Sequence, residues 1–393
     1  TIRLFARGKL DLQPEVAALA ADRHASYYAE LAAQATPGLR QAEWINRLKQ
    51  EINNIRAALD WYQNRANSAR ELLELCGNLQ WYWEANGTLA EGYDRILIAL
   101  HKSATDAPSA LRARVLNNAG SFAWQRGNYV SARTHYEEAQ RICRAIGEPG
   151  LLASALSGLA NVTYYENDHD TAFTLYEQSL EVARQIGDIP RIALTLGNLG
   201  VFAERSGEHE RAIALFEEQL ALRRTIGDPA RIAITLSNLA TSFYSNGQKT
   251  EAQTAVAEAE TIFRAIGYRT HLPYVLRMRG VMAREAKELD IAEARLREAI
   301  TLEYEGDLKN DLLESLTEYA LLKSLTNEPE TAARLLGAVT AAQERLGFTA
   351  IREGRYPLIF DRCAEALGEE TAQTLRYQGR LLTLDAAVAA ALA

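Results

Sequence analysis

The chain is short of proline and cysteine and has no long apolar run, and each shortage narrows what it can be. Only 9 prolines occur in 393 residues, against an abundance of Ala, Leu, Glu and Arg, so helix is favoured throughout. No stretch is apolar for long enough to span a bilayer, and the N-terminus lacks a basic-then-apolar signal pattern. The expected compartment is the cytoplasm, with no membrane contact. The three cysteines, Cys76, Cys143 and Cys363, have no paired spacing for metal or redox work and read as buried free thiols. Six histidines are scattered without ligand spacing; His169 and His209 stand 40 residues apart and read as solvated. The acid pairs Glu137-Glu138 and Glu217-Glu218 read as surface charge, and no serine has a G-x-S-x-G setting. Neither an enzyme nor a cofactor is expected. A net charge of −8 argues against direct contact with nucleic acid.

What is present is a period. A hydrophobic content of 48% belongs to a folded chain, and 393 residues exceed what one compact core absorbs. The choice is between several domains and a solenoid that adds core unit by unit. In rows of 40, one column reads Ala132, Ala172, Ala212, Ala252, Ala292, Ala332. A second reads Gly120, Ala160, Gly200, Ala240, Gly280, Ala320, and a third Leu116, Leu156, Leu196, Leu236, Leu276, Leu316. Four residues after each alanine stands a large apolar side chain: Tyr136, Tyr176, Phe216, Val256, Leu296, Leu336.

Physics accounts for each column. Two antiparallel helices approach closely only where small side chains face the partner. The large residue one turn on fills the space left open. Between the two helices, Gly127, Asn167, Gly207, Gly247, Lys287 and Asn327 mark a left-handed turn position. The second helix closes near Gly147, Gly187, Gly227, Gly267 and Gly347, with Gly306 one place early. Pro190 and Pro229 stop it from continuing. Each unit is thus predicted as helix A of about 13 residues, a tight turn, helix B of about 17 and a short loop.

Leu196-x2-Leu199-Gly200 followed by Ala212-x3-Phe216 resembles the tetratricopeptide pattern, whose ordinary unit is about 34 residues. The expected fold is all-α: a right-handed α-α superhelix, a tetratricopeptide-like solenoid of 40-residue helix-turn-helix units. Leu79, Gly87, Gly92 and Ile96 give a degenerate earlier row, with Trp81-Tyr82-Trp83 as bulkier end packing. Seven units follow: 74–113, 114–153, 154–193, 194–233, 234–273, 274–313 and 314–353. Residues 1–73 are a helical linker or cap, with apolar Trp44, Ile45, Leu48, Ile52, Ile55 and Leu59 at helical spacing between Arg40 and Trp61. Residues 354–393 give two further helices and an Ala-rich end, Ala386 to Ala393, as a C-terminal cap. The opening Thr1 to Ala6 reads like the middle of a helix, as in a fragment of something longer.

Arg23-His24-Ala25-x-Tyr27-Tyr28 and Glu51-x2-Asn54-x-Arg56-Ala57-Ala58-Leu59-Asp60-Trp61 resemble the segment joining an ATPase module to its repeats in bacterial signal-transduction ATPases of the STAND class. Maltose-regulator-like and AfsR-like transcription factors belong to that class. Gly379-Arg380-Leu381-Leu382-x-Leu384-x2-Ala387 resembles the end of many such chains. The resemblance implies a sensor arm that binds an inducer or partner and controls an ATPase elsewhere in a longer chain. These 393 residues hold no G-x-x-x-x-G-K-[ST]; Gly247-Gln248-Lys249-Thr250 lacks the upstream glycine, and no helix-turn-helix for DNA is evident.

A solenoid of this kind works through the concave face lined by helix A. Candidate liners are Asn117, Asn118, Trp124 and Gln125, then Asn161, Tyr164 and Tyr165, then Asn198, Glu204 and Arg205, then Asn238, Thr241 and Tyr244, and Arg277 with Arg284. Asn118, Asn198 and Asn238 share a column that Gly158 breaks. An amide offers a donor and an acceptor, so it pairs with a peptide backbone of any sequence; it can equally bond the neighbouring repeat and stiffen the stack. Trp124, Tyr164 and Tyr244 are expected to line the groove, and Arg277 and Arg284 suit a carboxylate or phosphate. The expected ligand is a peptide, a protein or a small inducer. The other reading is a free-standing peptide receptor or assembly scaffold, like quorum-peptide receptors or the cargo-binding light chain of kinesin.

Overall fold

A computed structural model describes residues 13–35, 42–104, 106–346 and 355–393, all helix and short connections, with no strand among them. Thr1–Ala6, Arg40, the Ile45 side chain and Gly347 lie outside the described residues. The described residues form 19 helices. Before the repeats come α1 (Pro14–Ala35) and α2 (Ala42–Asn64). Seven helix pairs follow: α3 (Ala69–Ala85) with α4 (Leu89–Lys102), α5 (Ala110–Gln125) with α6 (Tyr129–Ile146), α7 (Pro149–Tyr165) with α8 (His169–Gln185), and α9 (Ile189–Arg205) with α10 (His209–Ile226). The last three are α11 (Pro229–Ser245) with α12 (Lys249–Ile266), α13 (Leu272–Glu285) with α14 (Leu289–Glu305), and α15 (Lys309–Leu325) with α16 (Pro329–Leu346). At the end stand α17 (Arg355–Leu367), α18 (Glu369–Arg380) and α19 (Leu384–Leu392). The chain divides into two compact units, 1–195 and 196–393, and each is a stack of antiparallel helix pairs of the α-α superhelical kind.

The columns are the core. Every member of the alanine, leucine and large-apolar columns is buried. The turn between paired helices is left-handed at Gly127, Asn167, Gly207, Gly247, Lys287 and Asn327, Lys287 included, so register outweighs residue preference there. After helix B the left-handed residue is Gly147, Gly187, Gly227 and Gly267. In the next row it is Asp307, with φ 54°, while Gly306 stays right-handed. The period is kept and the early glycine does not shift it.

Helix A is longer than expected, at 16 residues in α5 and 17 in α7 and α11. In α7 and α11 the added turn opens on proline, whereas α5 starts without one. Pro149, Pro229 and Pro273 sit in the first turn of a helix A, where the missing N–H costs nothing, so each starts a helix besides ending its predecessor. Ser109 and Asp228 cap α5 and α11 by accepting from the Arg112 and Arg231 amides.

In the unit of residues 1–195, the N-terminal motif residues act as mortar. Tyr28 on α1 donates to Glu51 on α2 at 3.0 Å, and Asn54 donates to the same carboxylate at 2.7 Å. Trp61 donates to Asp22 at 3.4 Å, and Arg56 forks onto Glu91 of α4 at 2.7 and 2.6 Å. The C-terminal cap, in the unit of residues 196–393, has three helices rather than two, the Ala-rich end forming α19. Tyr304 on α14 donates to Asp385 at 3.0 Å, which ties α19 to the repeats.

Candidate functional site

Helix A offers several columns, and the structure separates those that bond a neighbouring repeat from those that face open space. Asn117 on α5 donates its amide to the Leu151 carbonyl at 3.1 Å, in the first turn of the next helix A. Arg277 on α13 does the same to the Asp311 carbonyl at 3.1 Å. Both side chains reach 34 residues on, from the same column to the same column. They stiffen the stack. Asn161 accepts from the Tyr176 hydroxyl of its own repeat. Where the large helix-B residue is Phe216, the matching helix-A residue is Val201, so this polar pair is internal to the fold.

A further set of contacts runs diagonally, each 41 residues long. Gln125 donates to Glu84 at 3.4 Å, and Ser245 to Glu204 at 2.9 Å. The Trp124 and Tyr165 rings meet edge-to-face at 5.8 Å, and Tyr244 is hydrogen-bonded to Glu285. Burial and that carboxylate both push the Tyr244 hydroxyl upward from its ordinary pKa. Trp124 and Tyr244 therefore spend part of their surface on the next repeat. Tyr165, largely exposed, stacks on Tyr129 at 5.4 Å and meets Tyr164 edge-on at 5.9 Å. Tyr164 also lies against His169.

The two arginines differ from the expectation of open cationic groups. Arg277 is buried and donates to Glu303 at 2.9 Å, with Glu314 at 2.8 Å. Arg284 is buried and paired with Glu318 at 2.6 Å, a carboxylate that Arg355 of α17 also contacts. Their donors are engaged within the fold, because burial of an unpaired guanidinium would cost several kcal/mol. Arg205 is exposed at the end of α9. Asn118 is buried, and its amide nitrogen has no hydrogen-bond partner in the structure. Asn198 and Asn238 are half-buried.

Of these amides, Asn238 lines a cavity of about 270 Å³ in the unit of residues 196–393. Three consecutive A helices build it: Ile234, Ser237 and Asn238 from α11, Pro273 and Tyr274 from α13, and Asp311 from α15. Thr270, His271 and Leu308 complete the wall from the connections. Tyr274 is held in place by a 2.7 Å hydroxyl contact with Thr241 and by the Arg277 guanidinium 5.5 Å from its ring centre. The expected set contained Asn238 and Thr241 here but not Tyr274, His271 or Asp311. Those three lie before the column leucines Leu276 and Leu316, whereas most of the candidates lie beside or after the leucine of their row. Among the described residues no group of His, Cys, Asp and Glu is arranged to hold a metal. No helix there is long and apolar enough to cross a membrane.

Residues 111–185 and 191–265 match the family model described as tetratricopeptide repeat. Those two stretches are tetratricopeptide repeats. No curated protein matches the chain by sequence. Among solved structures, the chain is similar to a signal transduction ATPase with numerous domains (STAND) from Pyrococcus horikoshii that has a tetratricopeptide repeat sensor: 17% identity, TM-score 0.58, 83% of this chain and 48% of that one. The chain thus spans about half the length of that protein. It is also similar to aspartyl phosphate phosphatase F from Bacillus subtilis, with 14% identity and TM-score 0.55 over 92% of this chain and 94% of that one. A Rap protein complexed with competence and sporulation factor gives 14% identity and TM-score 0.51, over 89% and 99%. At such identities the likeness is one of tetratricopeptide fold alone.

Proposed function

We propose that the chain is a non-catalytic, cytoplasmic ligand-sensing and protein-interaction module, which seats a peptide, protein segment or small inducer on the inner face of its A helices. The observation that carries this reading is the cavity at Asn238, walled by three successive A helices and mixing an amide, an aromatic ring and a carboxylate. Such a mixture of apolar wall and few polar groups is what ligand sites present. The half-buried Asn238 has both a donor and an acceptor for a peptide backbone. Asn238→Ala is expected to weaken binding of a selected peptide about ten-fold or more while the helical melt stays within about 2 °C of wild type. A collapsed melt would show that Asn238 instead holds the repeats together.

The regulator context rests on the two terminal motifs and on the fold shared with a STAND protein whose repeats are a sensor; the latter is fold-level analogy. In that context an ATPase module belongs to the same polypeptide. Sequencing the gene upstream of Thr1 tests it: a G-x-x-x-x-G-K-[ST] loop is expected there. Its absence would favour a free-standing receptor or scaffold.

A further inference from the structure

The charges around the cavity do not balance. Arg277 is one guanidinium set against three carboxylates, Glu314 at 2.8 Å, Glu303 at 2.9 Å and Asp311 at 3.5 Å. Glu303 is wholly buried, and one of its oxygens has no partner. Burial pushes its carboxyl up to about 7, with Arg277 opposing. Of the cations adjoining wall residues in sequence, Arg269 pairs with Glu305 and Lys309 lies 3.4 Å from Asp307. Asp311 differs from Glu303 and Glu314 in being nearly half exposed and in lining the cavity. His271 and the Tyr274 phenol are the other titratable side chains on that wall.

We propose that this cavity takes a basic side chain, Lys or Arg, of a bound protein segment, set against the Asp311 carboxylate beside the Tyr274 ring. Asn238 holds the segment's backbone next to it. The inference rests on the reading of the inner face as the ligand face and adds the chemical class of what binds. A volume of about 270 Å³ suits one long side chain rather than a drug-sized molecule. A cation entering here meets a carboxylate whose own Arg277 contact is the longest of the three. An acidic segment would meet uncompensated negative charge.

The test is selection of a phage-displayed random dodecapeptide library on the whole 393-residue chain. Selected peptides are expected to carry Lys or Arg at one fixed position. In fluorescence anisotropy, Asp311→Asn should weaken the best of them about ten-fold or more. The same substitution should change a version of that peptide with Gln at that position by less than about two-fold. Asp290→Asn, at an exposed carboxylate on α14, should leave the preference intact and so controls for the overall negative charge. If peptides bind and depend on Asn238 but show no basic position, or keep it in Asp311→Asn, the charge inference fails alone. If no peptide is selected, or binding ignores Asn238→Ala, the inner-face reading fails and the inference with it.

Discussion

Gly158→Ala is expected to destabilise the unit of residues 1–195 by about 3 kcal/mol, near the upper end of the usual cost of overpacking a core. A β-carbon at Gly158 on α7 would stand 2.3 Å from the Tyr136 ring of the preceding repeat. The ring is confined by Gly120 as well, whose β-carbon position lies 2.7 Å from it. Tyr136 is therefore clamped between two glycines of successive A helices. In a unit of this size the loss corresponds to a melting shift of roughly 6–12 °C. A double-mutant cycle separates this clash from any general intolerance of the helix. In a Tyr136→Leu background, Gly158→Ala should be neutral or stabilising by up to about 1 kcal/mol, because Ala is the better helix former once the ring is gone. An equal penalty in both backgrounds would refute the clamp.

The same position shows why the amide column is broken. Asn at 158 would need the space that Tyr136 fills, so Gly158 is a packing residue interrupting a row of polar ones. What the rows of 40 display is which residues share a face. That is why the buried columns and the left-handed turns between paired helices were legible: each recurs at one fixed place in every row. The rows do not display where a long side chain goes once repeats stack. Asn117 and Arg277 reach a carbonyl 34 residues on, and Glu84 is reached from 41 residues away. From the sequence alone these residues were indistinguishable from groove liners. The cavity was half visible for the same reason, since Asn238 sits in the amide column while Asp311 enters from two A helices later.

The terminal motifs show a related limit, because resemblance marked residues whose work is structural. Tyr28, Glu51, Asn54, Arg56 and Trp61 cross-link α1, α2 and α4. Their spacing reflects a helix seam, and a helix seam alone says nothing of ligand. Asn238, Tyr274 and Asp311, which line a cavity, are the residues that face open space.

Gly379→Ala is expected to have the largest effect of any single methyl addition in the unit of residues 196–393, undocking the C-terminal cap. A β-carbon at Gly379 on α18 would stand 2.0 Å from the Arg334 carbonyl oxygen of α16. In return, one at Gly337 on α16 would stand 2.0 Å from the Arg376 carbonyl oxygen. Both obstacles are helix backbone, which cannot turn aside as a side chain can, so the two helices must separate. The position on α16 is telling. Residues at 137, 177 and 217 of the same helix-B column are exposed glutamates, whereas 337 is a buried glycine, the place where a helix lies across the outer face of the last repeat. Separation would uncover Ile359, Cys363, Leu375 and Val388, for a loss of about 4 kcal/mol or more. Cys363 supplies a direct readout. Its thiol is buried and, through that burial, pushed up to about 11, so in the docked state it is expected to resist alkylation at pH 8. In Gly379→Ala it should react within minutes, while Cys76 and Cys143, buried in residues 1–195, stay protected. Hydrogen exchange should rise across α17–α19 in the same variant, and Gly337→Ala should reproduce both changes. If Cys363 stays unreactive and the melt is unchanged, the backbone contact between α16 and α18 is not what holds the cap.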